Sequence, residues 1–176
     1  LEQKQRIYSL DPILHSKIQV LVLGSMPGQQ SLEKQQYYAH PRNQFWKILF
    51  SIFSQPETTD YNKRIALLQA NRIGLWDVIH SCVRKGSLDA NIKEERANDI
   101  ATLLNTYKDI RFVAFNGGKA FQTFKKNIGL HVLDGIAYKQ LPSTSPIPGR
   151  NIKSFDEKTK EWQVIRQYID VPPALE

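Results

Sequence analysis

Between Gly24 and Trp46 the chain concentrates residue types that need partners. Gly24-Ser-Met-Pro-Gly28 is followed, after a short gap, by Tyr37-Tyr-Ala-His-Pro-Arg-Asn-Gln-Phe-Trp46. A glycine-rich turn after an apolar run suggests a phosphate cradle. However, no Gly-Lys-Ser/Thr follows, and Gly-x-Gly-x-x-Gly is missing, so the segment fits neither a P-loop nor a dinucleotide fingerprint. Polar groups in such a loop are costly unless they are paired or used. His40-Pro41 reads as a rigid start to a helix and Trp46 as a core residue, whereas Tyr38 and Asn43 read as functional. Three further places hold residues of the same kind: Asp77, Asn116-Gly-Gly118, and the proline-rich Pro142-Ser-Thr-Ser-Pro-Ile-Pro-Gly-Arg-Asn151. Asp77 is open between a ligand-reading carboxylate and a loop cap. Asn116 is open between a site residue and a simple turn, since Asn-Gly is a common turn pair.

These residues must be positioned by the elements around them. Lys17 to Gly24 is a short apolar run ending in glycine, a buried strand. Phe45, Ile48, Leu49, Ile52 and Phe53 recur at helical spacing. A second helix is expected over Tyr61–Gln69, capped by Thr59 or Asp60. A second strand is expected over Ile73–Ile79, a helix over Arg96–Tyr107 and a third strand over Arg111–Phe115. A helix carrying Phe121, Phe124 and Ile128 follows. His131–Leu133 is expected as a short fourth strand and Tyr138–Leu141 as a further extended piece. Ser154-Phe-Asp-Glu157 has capping-box spacing and opens a last helix that buries Trp162, Ile165 and Ile169. Strands alternating with helices predict an α/β fold, a three-layer αβα sandwich around a mostly parallel four-stranded sheet. One domain over residues 1–176 is expected from the length. In such sheets a site lies at the carboxyl ends of the strands. The loops after Gly24, Asp77, Phe115 and Leu141 should therefore meet.

Composition narrows the classes. The 41% hydrophobic and 23% charged fractions are ordinary for a globular protein. No window approaches the roughly 18 apolar residues of a membrane helix, and the first residues lack a signal-peptide pattern. The single cysteine, Cys82, can neither pair within the chain nor build a zinc or iron–sulfur site. The four histidines lack ligand spacing. No metal or organic cofactor is expected, and a cytoplasmic setting fits. A net charge of +7 favours polyanionic partners, although a merely basic enzyme would show it too.

Taken in order, Gly24–Gly28 with Tyr37–Trp46, Gly74-Leu-Trp-Asp-Val78, Phe115-Asn-Gly117 and Leu141–Pro146 resemble the motifs of the uracil-DNA glycosylase superfamily, closest to its hypoxanthine-DNA glycosylase family. The resemblance covers most of the chain. It implies a monofunctional glycosylase that hydrolyses the N-glycosidic bond of deaminated bases in DNA, with hypoxanthine ahead of uracil or xanthine. No lysine falls where a Schiff-base nucleophile would be. It also implies roles. Tyr38 would stack on the flipped base, Asp77 would read its edge, and Asn116 and Met26 would line its pocket. Ser25 and the amides of Gly24–Gly28 would face the departing base's oxygen. The mismatch-specific relatives carry a water-positioning asparagine where this chain has Met26, whose thioether orients water poorly. That role moves to Asn43. In the last loop, Ser143, Ser145, Arg150 and Lys153 would contact phosphates, and Ile147 would wedge between bases. The partner is then DNA containing deaminated bases, bound by a monomer. The competing reading, supported by Met26, is a nucleic-acid-binding module that has lost the chemistry. A weaker one is a small-molecule hydrolase on the same scaffold.

Overall fold

The computed structural model describes residues 5–146 and 152–170. It opens with a short strand, β1 (Arg6–Tyr8), and then forms β2 (Val20–Gly24). All five residues of β2 are buried. Helices α1 (Gln29–Lys34), α2 (Phe45–Ile52) and α3 (Tyr61–Ala70) follow, then β3 (Ile73–Asp77), β4 (Ile79–Val83) and β5 (Lys93–Ala97). The remainder is α4 (Ile100–Thr106), β6 (Phe112–Asn116), α5 (Gly118–Asn127), β7 (Ala137–Leu141) and α6 (Phe155–Trp162).

The principal sheet has the order β3-β2-β6-β7, and every pair is parallel. Its central strand is apolar on both faces because both faces are covered. Alternation along the strands divides the core. Val20 and Val22, with Ile73, Leu75, Phe112 and Ala114, face a cluster built by α2, α3 and α6. Leu21 and Leu23, with Val113 and Phe115, face a second cluster containing Ile100, Leu103 and Leu104 of α4 and Ala120 and Phe124 of α5. This is the expected three-layer sandwich. The end of α2 also follows the expected stripe, with Phe45, Ile48, Leu49 and Ile52 fully buried.

The caps match the sequence pattern. Asp60 accepts from the Asn62 amide at 3.0 Å and so starts α3. Ser154 and Glu157 form a reciprocal capping box at α6, which ends at Trp162 and tightens into a 3-10 turn over Gln163–Tyr168. Trp162 and Ile165 are buried as expected.

Three boundaries differ from expectation. The second strand does not run to Ile79. It stops at Asp77, the Val78 amide turns to the Gly24 carbonyl at 2.8 Å, and Ile79 begins β4. That strand belongs to a separate antiparallel sheet of order β1-β4-β5. Arg96 is not helical. It pairs with Ser81 inside β5, and the helix starts only after Asp99 caps the Thr102 amide at 3.1 Å. His131–Leu133 is a 3-10 turn, preceded by Gly129 at φ +101° and followed by Gly135 at φ +77°. The fourth strand is β7 instead. It is an edge strand with four exposed residues, so it carries almost no apolar signal.

Leu23 is fully buried at the centre of the sheet. Leu23→Ala should lower the unfolding free energy by about 2–5 kcal/mol, read from urea denaturation, because the rigid sheet cannot collapse onto the cavity.

Candidate active site

Strand register brings the unusual residues to one edge. Gly24 of β2 pairs with Asp77 of β3, Leu23 pairs with Phe115 of β6, and Asn116 pairs with Leu141 of β7. The loops after all four strands leave the same carboxyl edge, as expected for a parallel sheet.

Gly24 is the closest point. A β-carbon there would stand 2.6 Å from Asp77 Oδ1 and 3.1 Å from the Tyr38 hydroxyl. The carboxyl and the phenol therefore converge over a bare backbone. Asp77 is 3% exposed. Its Oδ2 and the Tyr38 hydroxyl are both buried without a hydrogen-bond partner among the described residues. Buried polar atoms are nearly always paired, so two orphans side by side mark a place where another molecule can supply the partners. The Asn116 amide acts weakly on the Tyr38 hydroxyl, but the pair does not reach hydrogen-bonding geometry. Burial pushes the Asp77 carboxyl up from an ordinary 3.8 to about 7. The Asp89 charge pushes the same way, and Arg84 opposes it. Burial and the Asp77 charge also raise the Tyr38 phenol, which stays protonated.

Tyr38 is held rigidly. Its backbone is left-handed, at φ +53°, a conformation that costs energy for an aromatic residue. Its ring lies on Phe45 with centroids 4.1 Å apart. Tyr37 instead anchors the loop. It is buried, its hydroxyl donates to the Asp11 carbonyl at 2.9 Å, and its carbonyl accepts from Trp46 Nε1 at 2.9 Å. Trp46 is a core residue as expected, whereas His40-Pro41 does not start the helix: His40 Nδ1 accepts from the Arg42 amide at 3.1 Å in a turn, and α2 begins only at Phe45.

Asn43 stands just ahead of α2, half-buried, with Oδ1 accepting from the Phe45 amide at 2.9 Å. That bond fixes the plane of its side-chain amide and leaves a second lone pair on Oδ1. Asn116 clamps the last loop in two directions. Its Nδ2 donates to Thr144 Oγ1 at 2.9 Å, and its Oδ1 accepts from the Thr144 amide at 3.0 Å. Both ends of its amide are thus engaged with Thr144. Ser25 Oγ donates to Asp89 Oδ1 at 2.8 Å. Met26 is 7% exposed and packs with Ile79, Cys82 and Ile92 in a small cluster against the second sheet.

Ser143 is exposed and lies against Gly117, whose φ of +93° opens the turn, and its Oγ accepts from the Ser145 amide at 3.2 Å. Lys153 is exposed and paired with Glu161 at 2.6 Å. Ile147 and Arg150 lie outside the described residues.

Several residues that shape this edge carry no sequence signal of their own. Thr144 is completely buried, and its carbonyl accepts from the Gln44 amide at 3.0 Å. Gln44 Oε1 accepts from Lys158 Nζ at 3.1 Å, and Trp162 Nε1 donates to the Pro142 carbonyl at 3.0 Å. A threonine between two serines gives no hint of which one turns inward. The indole of Trp162 could only have been assigned to a core.

An α/β sandwich with a buried polar pair at the carboxyl edge, built over a bare glycine, is the class that fold and site define. The chain belongs to the Uracil DNA glycosylase superfamily, whose family model matches residues 12–166. It is 35% identical over 156 residues to a hypoxanthine DNA glycosylase of Methanosarcina acetivorans, covering 87% of this chain and 93% of that one. It is 39% identical over 154 residues to a hypoxanthine DNA glycosylase of Methanosarcina barkeri, covering 86% and 92%. The fold also matches the solution NMR structure of a candidate uracil DNA glycosylase from Methanosarcina acetivorans. The TM-score is 0.77 at 33% identity, over 93% of this chain and 98% of that one.

Two outcomes test this geometry. Gly24→Ala should abolish the arrangement, because the new methyl must displace the Asp77 carboxylate. Loss of activity with a well-folded circular dichroism spectrum is expected. The raised Asp77 pKa has a definite sign. The folded state keeps this proton up to about pH 7, while the unfolded chain releases it near 3.8. Asp77 therefore costs stability as pH rises through that window and no further above it. The melting temperature of Asp77→Asn minus that of the wild type should climb between pH 4 and pH 7 and then level off. A difference that stays constant with pH would contradict the burial of an ionisable Asp77.

Proposed function

We propose that the protein is a monofunctional DNA glycosylase that hydrolyses the N-glycosidic bond of deaminated bases in DNA, with hypoxanthine as the preferred base. The observation that carries this reading is the pair of buried, unpartnered groups over Gly24, Asp77 Oδ2 and the Tyr38 hydroxyl. A deaminated purine presents an N–H donor beside a carbonyl acceptor on its pairing edge. A carboxyl poised near neutrality accepts from the first or, protonated, donates to the second. Adenine presents the reverse order. The flipped base stacks on the face of Tyr38 turned away from Phe45.

Hydrolysis then proceeds by departure of the base with the bonding electrons, leaving an electron-poor sugar carbon. A water held by Asn43 Oδ1 adds to that carbon, and its proton passes through solvent to the departed base anion, so that the products are the sugar hydroxyl and the neutral free base. Backbone amides of Gly24–Gly28, with Ser25, face the oxygen of the departing base, where negative charge gathers. Met26 contributes by packing the floor of this loop rather than by orienting water. Asn116 contributes by holding Thr144, and so the DNA-contacting loop with Ser143, Ser145, Ile147, Arg150 and Lys153. The protein acts as one domain and as a monomer on its DNA.

The test is release of free base from duplex oligonucleotides that hold one deoxyinosine, deoxyuridine or deoxyxanthosine. Deoxyinosine should react fastest. Asn43→Ala should lower kcat by about 100-fold or more with DNA affinity changed less than about threefold. Salt-dependent binding without release of any base would instead establish a binding module that has lost the chemistry.

A further inference from the structure

Arg84, just past the end of β4, is buried, with 7% of its surface exposed. Burying a guanidinium is costly unless its donors are used. Two of them are. Nη2 donates to the Pro27 carbonyl at 2.6 Å and Nε to the Gly86 carbonyl at 2.7 Å. Nη1 is buried without a partner among the described residues. The turn that follows adds two further bonds to the same loop. Ser87 Oγ accepts from the Gln29 amide at 2.9 Å, and Asp89 Oδ1 accepts from Ser25 Oγ at 2.8 Å. The start of β4 is fastened there as well, through the Ile79 amide to the Ser25 carbonyl at 3.1 Å. From Ser25 to Gln29 the loop is thus gripped by residues 79–89, which belong to the second sheet and its turn. None of these residues lies in a stretch the motifs single out.

We propose that Arg84 is a positioning residue for the candidate active site, fastening the loop after β2 through Pro27 and holding a fixed positive charge within reach of Asp77. This rests on the glycosylase reading for its kinetic consequence, but not for its electrostatic one. The Pro27 carbonyl is held by Arg84, which fixes the peptide planes of the loop whose amides the glycosylase reading places beside the departing base. Arginine stays charged even where burial lowers its pKa, so the charge is permanent. The charged and titratable groups around Asp77 are few: Arg84 lowers its pKa, Asp89 raises it, and the phenols of Tyr37 and Tyr38 feel its charge. The permanent cation offsets part of the negative charge that accumulates when a base departs as an anion.

The experiment has two readouts. In the free protein, the Asp77 carboxyl carbon is titrated by NMR. Its midpoint should rise in Arg84→Met, where the cation is lost, and fall in Asp89→Asn, where the neighbouring anion is lost. Asp89→Asn, at an exposed position, calibrates how far one neighbouring charge moves the midpoint, and Arg84→Lys keeps the test alive if Arg84→Met does not fold. On deoxyinosine-containing duplex, Arg84→Met should lower kcat by at least tenfold with KM changed less than threefold. Arg84→Lys, which keeps the charge but not the fork, should lower kcat while leaving the Asp77 midpoint in place. A merely structural Arg84 would not move the midpoint in opposite directions in the two variants. Midpoints unmoved in both, or a folded Arg84→Met with wild-type kcat, would overturn the proposal. If the wild type releases no base, the glycosylase reading fails, and the titrations still decide the electrostatic role.

Discussion

The structure of the site depends on one missing atom. Position 24 lacks a β-carbon, and Asp77 Oδ1 and the Tyr38 hydroxyl occupy the space it would take. Register makes this more than a local detail. Because β2 is an inner strand that pairs with both β3 and β6, Leu23 is fixed from two sides, and Gly24 beside it is registered on Asp77. A one-residue slip would turn Leu21 and Leu23 out of their cluster and carry Gly24 away from Asp77 together. The hydrophobic pattern of five strand residues therefore sets the geometry of a polar pocket to which those residues contribute no side-chain polar atom.

The price of that pocket is a carboxyl and a phenol left unpaired in a dry place. The surrounding structure holds them there. Tyr38 keeps a left-handed backbone because Phe45 supports its ring and the anchored Tyr37 precedes it. The backbone of Asp77 is fixed where it terminates its strand, because the next amide is bonded to the Gly24 carbonyl. A carboxyl in such surroundings holds its proton to near neutrality. Pairs of groups that would be idle or destabilising elsewhere are common where a ligand is to be read, and the local rules of stability are relaxed there for that reason.

Much of this edge was legible in the sequence. The stripe from Phe45 to Ile52 and the capping pairs at Asp60 and Ser154 carry strong periodicity or fixed chemistry, and they fall where expected; the run from Lys17 to Gly24 holds the expected strand, but it begins only at Val20, with Lys17 exposed in a turn. The convergence of the four loops followed from strand order alone. What escaped was decided by tertiary pairing. β5 is largely exposed and charged, so Arg96 read as the start of a helix until Ser81 supplied its partner. β7 has an exposed edge, so Leu133, a buried residue in a turn, looked like the better strand. Thr144 and Arg84 were invisible for a related reason. Their side chains are committed to Asn116 and to a proline carbonyl, and neither contact leaves a spacing in the sequence.

Those two residues explain why the separate motifs behave as one site. Thr144 bonds Asn116 through its amide and its hydroxyl, and bonds the Gln44 amide through its carbonyl. Gln44 follows Asn43 and precedes α2. The loop after β7 and the asparagine ahead of α2 are consequently joined by a buried threonine, with Lys158 and Trp162 of α6 bracing the two sides. On the other flank, Arg84 and the turn behind it fix the loop after β2. A displacement of the last loop cannot leave the start of α2 unmoved without breaking buried hydrogen bonds. Each such break would leave polar atoms unsatisfied, at about 1–3 kcal/mol apiece. Whatever bends the last loop is therefore felt at Asn43, and the coupling runs through contacts that no motif contains.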